Sequence, residues 1–134
     1  MRAKQFIVEG KEENANVVEM FKKFLPLAVK VLDLKSLPKM IFEPTIETGQ
    51  QPSFGMYVVG EQLLYVALQN RHPVDILRTV AHELVHYKQD LADELNDDSG
   101  ITGSPHENQA NEMAGVVMRN FNKHYPEYLR SKPL

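Results

Sequence analysis

The sequence predicts an α+β fold, and three observations carry that expectation. Apolar residues recur at three- and four-residue spacing near the start and in two stretches of the second half. Between them lie short β-type runs bounded by proline and glycine. Helical and strand patterns are segregated along the chain, not alternating. The 134 residues leave room for one domain spanning 1–134. The expected architecture is an N-terminal helix, a small three-stranded, mainly antiparallel sheet, and two long helices after it.

Residues 1–10 read as a flexible arm ending at Gly10. Asn14 or Asn16 caps a helix that the pattern extends to about Leu34. Val17, Phe21, Phe24, Ala28, Val31 and Leu32 mark its buried face, and Pro26 is expected to kink or split it. Residues 39–43 form a strand candidate between Pro38 and Pro44, and the polar stretch 45–52 reads as a loop. The runs 54–59 and 62–69 meet at Gly60-Glu61 as a hairpin. His72-Pro73 opens the second helix, whose apolar stripe of Leu77, Ala81, Leu84, Leu91 and Leu95 carries it to about Leu95. After a loop over 96–104, Ser104-Pro105-His106-Glu107 opens a third helix ending near His124.

Composition removes several function classes. There are no cysteines, so disulfide scaffolds and thiolate zinc sites are excluded. Fifteen Lys+Arg against eighteen Asp+Glu argue against a nucleic-acid partner. The apolar stretch 24–29 is broken by Lys30 and is too short to span a membrane. The first residues lack the apolar core of a secretory signal, so a cytoplasmic location is expected. Metal or acid–base chemistry must use the five histidines with carboxylates.

His82-Glu83-Leu84-Val85-His86 is an HExxH string in the middle of the second helix. Residues four apart share a helix face, so His82 and His86 can reach one ion. Glu83, one residue on, flanks that ion without binding it. Zinc lowers the pKa of its bound water towards 7, and a flanking carboxylate handles the proton. This is the metalloprotease reading, with Glu83 as general base. With only five histidines in the chain, a chance pair at this spacing around a glutamate is rare. The competing reading is a solvated helix that happens to carry two histidines.

A catalytic zinc wants a third protein ligand. The pattern HExxHxxGxxH fails, because Gln89 stands at the glycine and Ala92 at the third histidine. The third helix offers Glu107, Glu112 and His106. Glu107 has a competing explanation as the N3 residue of a capping box with Ser104. His124 suits the end of its helix as a dipole-complementing residue.

Several residues resemble a known family. Thr79 before the motif and the uncharged Leu84, Val85 and Tyr87 resemble the extended zincin consensus, from which Lys88 departs. Glu107-Asn108-Gln109-Ala110-Asn111-Glu112-Met113-Ala114 resembles the second motif of the ImmA/IrrE-like metallopeptidases. That resemblance covers roughly residues 62–120. It implies a minimal zincin-like, gluzincin-type fold with one Zn²⁺ per chain held by His82, His86 and Glu107, and a peptide or protein substrate. Ala110 and Ala114 would let the two helices approach, and Asn111 would orient a ligand. In zincins an edge strand before the active-site helix binds substrate, which would put 63–68 in that place. The chain also resembles small open reading frames of tailed phages, implying a host-cytoplasmic or virion location. For a developing oxyanion the sequence offers Tyr57, Tyr65, Tyr87, His72, His106 and Arg78, with packing the expected role of Tyr87. The alternative to a zinc endopeptidase is a zincin-like protein used for binding or assembly; a zinc hydrolase of another amide is a third class.

Overall fold

Two aspartates end helices that the hydrophobic pattern alone would extend. The computed structural model describes residues 12–48, 51–95 and 104–133. In it helix α1 spans Glu12–Leu32. Asp33 then adopts φ 54°, with Asp33 N–H on the Lys30 carbonyl and Leu34 N–H on the Val29 carbonyl. Helix α2 spans Pro73–Leu91, and the same pair of bonds recurs at Asp93 (φ 58°), from Asp93 to Asp90 and from Glu94 to Gln89. This is the Schellman arrangement, usually built on glycine but open to short polar side chains. Both helices therefore stop short of Leu34 and Leu95. Leu91, expected in the buried stripe, is half exposed.

At its start α1 also departs from expectation: Asn14 and Asn16 lie inside the helix and not at its first boundary. Pro26 does not split it either. The exposed proline forfeits one backbone bond, while the buried Phe21, Phe24, Leu25 and Ala28 around it keep the helix on the core. The expected N-terminal arm and nearly all of the 96–104 loop lie outside the described residues.

Among the described residues five strands follow α1: β1 (Lys39–Glu43), β2 (Ile46–Thr48), β3 (Gln51–Ser53), β4 (Gly55–Val58) and β5 (Leu63–Ala67). The stretch expected to be a loop contains β2 and β3, which pair antiparallel as a separate ribbon. The main sheet has the order β1-β5-β4. It is mixed: β5 runs parallel to β1 and antiparallel to β4. The run 63–68 is therefore central, not an edge, and β4 takes the edge place. Local hairpin chemistry was legible at Gly60, which turns at φ 84° with Glu61 N–H on the Val58 carbonyl. The long-range parallel pairing was not.

Helix α3 spans Pro105–His124, with Ser104 capping it through a bond from the Glu107 N–H, and a short 3₁₀ segment follows over Pro126–Arg130. The core lies between α1, the sheet and the α2–α3 pair. Phe24 meets Phe21 and Phe121 edge to face at 6.2 and 5.8 Å. Ala110 and Ala114 are buried on the inner face of α3. Their small side chains let α3 lie close on α2.

Two groups tie the edge strand to α2. Buried Arg71 donates to the carbonyls of Phe54 (3.3 Å) and Ala67 (2.8 Å), to the Asp75 carboxylate (2.8 Å) and to the Thr79 hydroxyl. At the other end of β4, Asp90 accepts from the Tyr57 hydroxyl (2.7 Å) and the Gly60 N–H (2.8 Å). Lys88, the departure from the zincin consensus, caps the last carbonyl of α1 at Leu32 (2.6 Å). Among the described residues no helix is long and apolar enough to cross a membrane.

Candidate metal centre

The i, i+4 spacing on α2 brings the His82 and His86 rings together, and the first turn of α3 brings a carboxylate to them. His82 Nε2 lies 3.2 Å from His86 Nε2. Glu107 Oε1 lies 2.7 Å from His82 Nε2, and Glu107 Oε2 lies 3.2 Å from His86 Nε2. Donor atoms at 2.0–2.1 Å from a tetrahedral metal stand about 3.3 Å apart, so these separations suit one ion. The donor set fits as well: two imidazole nitrogens and a carboxylate, converging with side chains only 19%, 12% and 20% exposed. His82, His86 and Glu107 together can hold a metal ion. Glu112 is exposed and is not part of this group, nor is His106.

Neighbours set the ring states. His86 Nδ1 lies 2.8 Å from Gln89 Oε1, an acceptor, so Nδ1 donates there and Nε2 is the nitrogen turned towards His82 and Glu107. Gln89 is itself buried, and its Nε2 donates to the His106 carbonyl (3.0 Å) and to Gln109 Oε1 (2.7 Å). It thereby ties the His86 ring to the start of α3. Asn111 hydrogen-bonds the His82 side chain. Burial holds His82 below the ordinary histidine pKa, against the pull of Glu107, which favours the neutral ring a metal requires.

Glu83 projects from the neighbouring face of α2 and is only 7% exposed. Burial, then the Glu107 charge, pushes its carboxyl up to about 8, while a hydrogen bond from the Tyr57 backbone works the other way. Directly over it runs β4. A Cβ built on Gly55 would stand 2.5 Å from Thr79 Cγ2 and 3.1 Å from Glu83 Oε2, so only glycine allows this approach. Glu83 and His82 open into a cleft of about 480 Å³ that Phe54, Gly55, Arg78, Thr79 and Asn111 also line. A second cleft of about 530 Å³, between Val29 and Lys39, contains none of these groups.

Among the possible oxyanion donors, only Arg78 lines the cleft. The Tyr57 hydroxyl is held by Asp90. Tyr87 is fully buried with its hydroxyl on Ser36, the packing role expected of it. His72 caps α2 and faces the Leu129 carbonyl. His106 uses its carbonyl to hold Gln89. Gln89, Gly55, Arg71 and Asp90 were not singled out from the sequence as parts of a site. Gln89 carried a signal, since it lies three residues after His86 on the same helix face. Gly55 carried none before its strand was placed. No protein-family model matches the chain, and no curated protein or solved structure is significantly similar to it.

Proposed function

We propose that this chain is a zinc-dependent peptidase, with His82, His86 and Glu107 as metal ligands and Glu83 as general base. The observation that carries the reading is the place of Glu83: a buried carboxylate next to His82 along α2, lining the same cleft as His82 and near enough to Glu107 to feel its charge. A site that only held a metal for structural reasons has no use for it. Zinc bound there would lower the pKa of a water towards neutrality and polarise a carbonyl. Glu83 takes a proton from the attacking water at its carboxylate and returns it to the leaving amide nitrogen. A C–O bond forms as the C–N bond breaks. Gln89 and Asn111 hold the two rings in register throughout. The edge strand β4 supports extended peptide as a substrate, because such a strand accepts another by backbone pairing.

The test is zinc content and turnover measured together. Wild type should bind one zinc per chain and cleave peptides. Glu83→Gln should keep the zinc and lose turnover by 10²–10⁴-fold, the usual share of a general base. Glu107→Ala should lose the zinc. Turnover by Glu83→Gln at the native rate would reject the mechanism. Zinc retained by wild type with no cleavage of any peptide would favour the binding or assembly role instead.

A further inference from the structure

The cleft beside Glu83 is lined by a cation that nothing among the described residues engages. Arg78 lies on α2 one turn before His82, so both side chains leave the same helix face about 6 Å apart. It is the one Lys or Arg among the residues lining the cleft, and it is exposed. No hydrogen bond or ion pair engages it among the described residues. Arg71, seven residues earlier and just before α2, shows the contrast: its guanidinium is buried and spent on the carbonyl, carboxylate and hydroxyl groups of four residues.

Phe54 lines the same cleft as Arg78, 66% exposed yet fixed in place. The Arg71 guanidinium stacks on its ring at 4.5 Å from the centroid and bonds its carbonyl. An exposed aromatic ring held this way is a platform, and the Arg78 guanidinium, unengaged among the described residues and lining the same cleft, supplies a planar pair of donors that matches a carboxylate. We infer that Phe54 and Arg78 form a specificity subsite for a substrate residue bearing a carboxylate, seated one helical turn from the metal group. The shared chemistry has two sources: an acidic side chain within the peptide, or the peptide's own C-terminus. This inference rests on the peptidase reading for its substrate, but its binding test does not need turnover.

Zinc-loaded Glu83→Gln protein is titrated with fluorescein-labelled decapeptides of one sequence that differ at a central position. The position holds Glu, Gln or Lys, and each peptide is made as the free acid and as the C-terminal amide. The Glu or free-acid forms should bind about tenfold more tightly than their neutral counterparts, a size suited to a half-exposed charge-assisted pair. Loss of the preference on amidation assigns the terminus; loss with Gln in place of Glu assigns the side chain. Adding Arg78→Ala should erase the preference, and Arg78→Glu should turn it towards Lys, with melting temperatures unchanged because the Arg78 side chain has no partner to lose among the described residues. Equal binding of all peptides, no binding of any, or an anion preference that survives Arg78→Glu overturns the subsite. The same peptides are offered to the protein with Glu83 intact. An Arg78-dependent preference without cleavage rejects the peptidase reading and leaves the subsite standing. Cleavage without preference does the reverse.

Discussion

Gly55 and Glu83 are in contact across the gap between β4 and α2, and a Cβ at position 55 would stand 3.1 Å from the Glu83 carboxylate. The closer obstacle is the Thr79 methyl, 2.5 Å from the same point. Thr79 cannot turn away freely, because its hydroxyl accepts from Arg71 and donates to the Asp75 carbonyl. The spacing between the edge strand and the candidate catalytic helix is therefore set by the absence of one methyl group. Gly55→Ala should destabilise the protein by about 1–3 kcal/mol through overpacking. Thr79→Ser removes the offending methyl and keeps the hydroxyl, so Gly55→Ala/Thr79→Ser should recover most of that loss. A thermal-melt double-mutant cycle measures it. Additive effects of the two substitutions would refute the contact.

Gln89 holds His86 in one tautomer and joins it to α3, so its loss should register on both metal and fold. Gln89→Leu keeps the volume but leaves the His86 Nδ1–H without its acceptor and removes the tie from α2 to the start of α3. Zinc affinity should fall 10–100-fold, the usual effect of removing a group that orients a ligand. Stability of the metal-free protein should fall by about 1–3 kcal/mol for a buried group left unpaired. Competitive zinc titration reads the first and chemical denaturation the second. Unchanged affinity would mean that packing alone orients the ring.

Local and long-range information divide the legibility of this chain. The i, i+4 histidines, the Ser104 cap and the small Ala110 and Ala114 are properties of single helices, and all were readable from spacing. The pairing of Glu107 with both rings was readable only as one option among three, because a first-turn glutamate also suits a capping box. The geometry separates the two by aiming both carboxylate oxygens at the rings while Ser104 still caps the Glu107 N–H. What escaped the sequence needed tertiary pairing. The parallel register of Met40 with Leu64 makes β5 central and hands the edge to β4. Only then does Gly55 acquire a role, and only then do Arg71 and Asp90 become the two ties on that strand.

Glu83 should make the metal-free protein sensitive to pH in an unusual direction. Its carboxyl titrates near 8 in the fold against 4.5 as its ordinary value. The raised value means that the folded state binds the proton more tightly than the unfolded one. Its contribution to stability is therefore full below pH 4.5 and is lost as pH rises through about 8. The whole loss, spread from pH 4.5 to about 8, is on the order of 5 kcal/mol, of which about 1 kcal/mol falls between pH 7 and 8.5. His82 acts with the opposite sign: its lowered pKa weakens the fold as pH falls through the usual histidine range. Between about pH 7 and 8.5 the Glu83 effect stands alone, and a carboxamide at that position has no proton to lose. In chelator, wild type should lose denaturation midpoint across this window while Glu83→Gln stays flat. Added zinc should reduce the difference, because a nearby cation favours the carboxylate and offsets its burial. A wild-type midpoint that stays parallel to that of Glu83→Gln from pH 5 to 8.5 in chelator would show that the buried carboxyl ionises without penalty. It would then be no better placed for proton transfer than a glutamate on the surface.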